Sequence, residues 1–107
     1  QGIDIGNLVF TSGQLPLNMD TGEMETEIKA ATKASLSNVK AILAEAGLTM
    51  DNVIKTTVFI SDMNNFAAMN EVYSTFFGET APARSCVEVA RLPKDVLVEI
   101  EAVAVRK

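Results

Sequence analysis

Pro82-Ala83-Arg84-Ser85-Cys86-Val87-Glu88-Val89-Ala90-Arg91-Leu92-Pro93 runs on through Lys94-Asp95 into Val96-Leu97-Val98-Glu99-Ile100-Glu101-Ala102-Val103-Ala104-Val105, and the fold turns on how these two runs pair. Both alternate with period two, the mark of extended chain whose side chains point to opposite faces in turn. In the second run Val98, Ile100, Ala102 and Ala104 face one way, while Leu97, Glu99, Glu101, Val103 and Val105 face the other. In the first, Arg84, Cys86 and Glu88 share a face opposite Ser85, Val87 and Val89. The connection Arg91-Leu92-Pro93-Lys94-Asp95 is short enough to predict an antiparallel pair. Arg84 and Glu99 could then meet across that pair or across a subunit boundary, and spacing leaves both open. A third arrangement is a structural ion pair of Arg84 with Glu99 or Glu101 on a wet sheet face. Three charges in strands otherwise built for burial need a compensating role.

Outward from this stretch, the chain opens with Ile3-Asp4-Ile5 and Leu8-Val9-Phe10-Thr11-Ser12 around Gly6-Asn7, which predicts a β-hairpin on a primed turn. Leu8, Phe10, Ser12 and Gln14 are expected to share a face, with Pro16 ending the strand. Asp20-Thr21-Gly22 predicts a turn before a very short strand near Met24. From Glu25 to Ala46 the period becomes 3.6, with Ile28, Ala31, Ser35, Val39, Ile42, Leu43 and Ala46 on one stripe, and Gly47 stops the helix. Val53 to Ile60 reads as a strand. Ser61-Asp62 offers caps for a second helix with Phe66, Met69, Val72, Tyr73, Phe76 and Phe77 at spacings of three and four, closed by Gly78. The aromatic stripe reads as core, with Tyr73 or a phenylalanine a candidate pocket wall.

The order is an α+β sheet carrying two helices, and two helices cover only one face of a sheet. Yet Leu97, Val103 and Val105 lie opposite Val98 and Ile100, so the second face must be buried by something outside the chain, most economically another copy.

Composition excludes more than it includes. At 107 residues and 48% hydrophobic, residues 1–107 are expected to form one domain without a linker. No apolar run approaches the roughly 18 residues of a membrane span, and a cytoplasmic protein is expected. A net charge of −5, with nine Lys and Arg spread along the chain, argues against a large nucleic-acid footprint. One cysteine, Cys86, excludes an intramolecular disulfide and cysteine-based zinc sites. The absence of histidine removes the commonest metal ligand and the base of nucleophilic triads, and no metal site is expected. It also leaves Cys86 without an activating partner, so the thiol reads as a small strand residue rather than a nucleophile.

Phe10-Thr11-Ser12-Gly13-Gln14, Lys55-Thr56-Thr57-Val58-Phe59 and the run from Pro82 to Pro93 closely resemble the reactive intermediate deaminase A family, also called YjgF or RidA, and the likeness covers nearly the whole chain. The family usually carries Gly-Pro-Tyr just before the glutamine matching Gln1; that element lies outside this sequence, and no role is assigned to its tyrosine.

The resemblance implies a chorismate mutase-like fold and a homotrimer with inward-facing sheets and pockets at subunit interfaces. It implies hydrolytic deamination of reactive 2-enamine and 2-imine acids, such as 2-aminoacrylate and its imine tautomer released by pyridoxal-phosphate dehydratases, to 2-keto acids and ammonia, without a cofactor. Arg84 would hold the substrate carboxylate in its planar fork. Glu99 would orient water toward the imine carbon, and Ser12 and Cys86 would shape the pocket. The same pocket could instead serve a ligand-binding regulator without turnover. RNA cleavage, attached to some relatives, is opposed by the acidic balance and the lack of histidine.

Overall fold

Alternation sets burial in the computed structural model, which describes residues 1–107. Strands β1 (Gly2–Asp4) and β2 (Leu8–Thr11) form the opening hairpin, with Gly6 at φ 98°, a conformation that glycine adopts freely. β3 (Leu17–Asn18) and β4 (Glu23–Met24) make a small separate hairpin turned at Gly22. α1 (Ile28–Glu45), β5 (Val53–Ile60), α2 (Phe66–Ser74), β6 (Ala83–Glu88) and β7 (Val98–Val105) follow.

The main sheet has the order β1-β2-β7-β5-β6 and is mixed: β7 runs antiparallel to β2 and β5, and β5 runs parallel to β6. This corrects the expected β6–β7 pairing. The two strands are opposed in direction, but β5 lies between them. The connection is not the five residues Arg91–Asp95 but all of residues 89–97, enough to step over one intervening strand. Lys94 and Asp95 take left-handed conformations at φ 57° and 56°, and Arg91 clasps Asp95 through bonds of 2.7 and 3.2 Å.

Both helices pack on one face. Val9, Val58, Ile60, Val98, Ile100, Ala102 and Ala104 from the sheet meet Ala31, Leu36, Val39, Leu43, Met69 and Tyr73 from the helices in one apolar cluster. The helix boundaries differ from expectation for local reasons. The Glu27 carboxylate takes the N–H groups of Lys29 and Ala30, so α1 begins at Ile28 and Glu25 stays outside. Asp62 caps a 3₁₀ turn, Met63–Asn65, that leads into α2, and α2 ends at Ser74, before Gly78. Gln14 also departs from the expected face. Phe10 pairs with Val103 and Gln14 with Ile100, so β2 takes one more residue than β7 over the same span, and Gln14 turns inward to 9% exposure.

The other face is bare. Phe10 is 40% and Val87 44% exposed, with Phe59, Val103 and Val105 half-buried beside them. No helix is long and apolar enough to cross a membrane.

Candidate active site

Arg84 sits in edge strand β6 opposite Thr56, on the helix-covered side. Its guanidinium reaches under α2, where Nη1 donates to Asn70 Oδ1. The guanidinium carbon stands 4.7 Å from the Tyr73 ring centre and 5.3 Å from that of Phe66. Positions 66, 70 and 73 lie on one face of α2, which is why a single helix presents all three. The Tyr73 ring is fixed in turn: its hydroxyl and Thr56 Oγ1 are 2.6 Å apart in the core, and Phe77 packs on it at 4.9 Å between centroids. Burial pushes the Tyr73 phenol above its ordinary range, against smaller opposing effects of the Thr56 bond and the Arg84 charge. An open cleft of about 470 Å³, lined by Asn70, Tyr73, Phe77, Pro82 and Arg84, leads to the guanidinium.

Cys86, two residues along β6, belongs to this region and is half-buried. Burial pushes its thiol up, with the Arg84 charge pulling the other way, so at neutral pH the sulfur is protonated.

Glu99 lies elsewhere. Its row across the sheet is Glu99, Phe59 and Val87, on the bare face, whereas the row of Arg84 is Arg84, Thr56 and Ala102, on the covered one. The two residues are separated by three positions along the strands, about 10 Å, and by two strand spacings of about 4.8 Å each. They do not meet in one chain, and neither Glu99 nor Glu101 is paired with Arg84: the ion pairs are Lys29–Glu71, Arg91–Asp95 and Arg106–Asp4. Glu101, opposite Thr57, shares the bare face with Lys55, whose Nζ donates to Ser85 Oγ at 2.9 Å.

The Glu99 carboxylate presses instead against Gly13, where a Cβ would overlap it and come within 2.8 Å of the carboxyl carbon. Ser12 adjoins Gly13 and is exposed, its N–H bonded to the Gln1 carbonyl at 2.7 Å. The four expected site residues thus fall into two groups, Arg84 with Cys86 and Glu99 with Ser12. Two contributors were not anticipated. Asn70 interrupts an apolar stripe between Phe66 and Tyr73, a signal available in the sequence. Gly13 within a strand-like run is another. Phe66 belongs to the aromatic stripe, read as core with Tyr73 or a phenylalanine as a candidate pocket wall.

Comparison with known proteins shows the family. The profile of the family described as Endoribonuclease L-PSP matches residues 1–106. The chain is 56% identical over 110 residues to the 2-iminobutanoate/2-iminopropanoate deaminase of Escherichia coli K12, covering 100% of this chain and 86% of that protein. It is 60% identical over 111 residues to a RutC family protein of Haemophilus influenzae, covering 100% and 85%. The crystal structure of E. coli TdcF with bound serine superposes with a TM-score of 0.96 at 56% identity, covering 100% of this chain and 87% of that one.

Proposed function

This chain belongs to the Endoribonuclease L-PSP family, and from that membership we propose that residues 1–107 form one RidA-like domain that hydrolyses small 2-imino acids to 2-keto acids and ammonia. The observation that carries the reading is Arg84: a guanidinium braced by an amide and two rings, open to a cleft, with no carboxylate of its own chain upon it. Such a fork suits bidentate capture of a carboxylate.

Arg84 and Glu99 lie on opposite sheet faces, so a site that uses both takes them from different copies of the chain. That fits a homotrimer of chorismate mutase-like subunits in which the bare faces, with Phe10, Val87, Val103 and Val105, cover one another. Arg84 of one copy holds the substrate carboxylate, and Glu99 of the next orients a water toward the imine carbon, with Ser12 and the main chain near Cys86 as walls. Water adds to the protonated C=N bond, one of its protons passes through Glu99 to nitrogen, and the C–N bond of the protonated carbinolamine breaks with loss of its hydroxyl proton, leaving a C=O group and ammonium. The protonated imine is electrophilic enough to need no cofactor. A free thiol at Cys86 fits a cytoplasmic setting.

Adding the purified protein to a threonine dehydratase reaction should speed 2-oxobutanoate release above the rate of spontaneous imine hydrolysis, and light scattering should give the mass of three chains. No acceleration would overturn the reading. One observation favours an alternative: the relative crystallised with serine holds a carboxylate ligand that is not an imine. Binding of amino or keto acids without any acceleration would support a regulatory trimer instead.

A further inference from the structure

Arginines that are half-buried in a single chain usually lie against a carboxylate, because desolvating a cation without a counter-ion is unfavourable. This chain has carboxylates to spare, 14 acidic residues against nine basic. Arg106 and Arg91 both use them, at 2.7 Å from Asp4 and Asp95. Arg84 does not. What touches its guanidinium is the amide oxygen of Asn70 and the faces of Tyr73 and Phe66. Each of these is neutral, and each favours a cation through a partial negative charge or a ring quadrupole.

We propose that Asn70 is a positioning residue that holds Arg84 in place without neutralising it, and so keeps its charge available to an incoming carboxylate; the inference rests on the role of Arg84 proposed above. An amide oxygen accepts one N–H of the fork and fixes its plane, leaving the other donors to face the cleft. The two rings restrict the remaining motion, and the Thr56–Tyr73 bond fixes the nearer ring to the sheet. An aspartate at position 70 would align the fork equally well, but it would bring the negative charge that the substrate is meant to bring. Aspartate and asparagine have nearly the same shape, and the oxygen that meets Arg84 is kept in both; the exchange adds a negative charge and replaces the amide's N–H donors with a second acceptor.

This yields effects of opposite sign on stability and on binding. Asn70→Asp should melt at or above the temperature of the parent, since it gives Arg84 a partner. Its affinity for 2-oxobutanoate, measured by calorimetric titration of the assembled protein, should fall about tenfold or more, because two anions then share one guanidinium. Asn70→Ala should lose less affinity, about three- to tenfold, because orientation is lost and charge is kept. In the dehydratase-coupled assay the alanine variant should show the loss in KM, with kcat within about twofold. Asn70→Asp binding as tightly as the parent would overturn the proposal; should that variant fail to assemble, an unchanged KM for Asn70→Ala would do so. Arg84→Ala in the same titration separates the two layers. If it binds 2-oxobutanoate like the parent, the role of Arg84 itself falls. If it loses binding while both Asn70 variants keep it, only the role of Asn70 falls.

Discussion

The two halves of the candidate site are held by opposite means. Around Arg84 everything is contact: an amide oxygen, two aromatic faces and a hydroxyl pair behind them place the cation. Around Glu99 the decisive element is space, the missing side chain of Gly13 into which the carboxylate fits. A group that must capture an anion is rigid before the ligand arrives, which lowers the entropy lost on binding. A group that handles water and protons is given room. The difference predicts which variable each half controls, binding on one side and the chemical step on the other.

The largest effects should come from removing the two charged groups. Glu99→Gln should lower kcat by about 10²- to 10⁴-fold with KM little changed. Arg84→Ala should lower kcat/KM by about 30- to 1000-fold, and Arg84→Lys should recover only part of that, since it restores charge without the fork. Mixing the two inactive variants after dissociation and reassembly breaks or sharpens the division directly. If each site draws Arg84 from one copy and Glu99 from the next, an equal mixture rebuilds about a quarter of the sites and activity returns. A reassembled mixture that stays inactive would overturn a site shared between copies.

An intermediate effect is expected at Gly13. The atoms that an added Cβ would strike are the end of a flexible side chain, so Gly13→Ala should fold with a stability change within about 1 kcal/mol while Glu99 swings aside. Its kcat should fall about 10- to 100-fold, with KM for the imino acid within about twofold. A rise in KM with kcat intact would move Gly13 to the binding half.

The smallest effect belongs to Cys86. Burial raises its thiol, so at any pH below that raised value a smaller fraction is thiolate than in free cysteine. Alkylation by iodoacetamide at pH 8 should therefore be slower than for free cysteine and should climb as pH rises further. Cys86→Ala should keep activity within about threefold. Alkylation faster than free cysteine, together with an inactive alanine variant, would return the thiol to the list of nucleophiles.

How much of this could be read in advance depends on whether the determinant is local. The bounds of β5 and the inward set Val98, Ile100, Ala102 and Ala104 follow from alternation, which each strand carries within itself. The helix-covered face and the bare face followed from the same pattern. The insertion of β5 between β6 and β7 did not, because strand neighbours are chosen by the whole sheet, and a connection over residues 89–97 permits either a hairpin or a step across. That choice adds a strand spacing to the opposite faces and the three-position offset that part Arg84 from Glu99. The extra residue near Gly13 escaped for a related reason: alternation counted straight through Ser12 puts Gln14 on the wrong face. Asn70 was legible as a polar break between Phe66 and Tyr73, but its partner emerged only once α2 lay over β6.

β7, the last of the sheet's strands in chain order, occupies its middle, paired with β2 on one side and β5 on the other. While the chain is still emerging from the ribosome, β2 and β5 each present an unpaired edge, and the helices have no finished sheet to cover. Strand-by-strand completion of the sheet in chain order is therefore blocked by topology, and the sheet closes only when Val98–Val105 inserts. A nascent chain in which that strand has not yet emerged exposes two unpaired edges at once, which makes that interval the time when this fold is most open to aggregation and to chaperone capture.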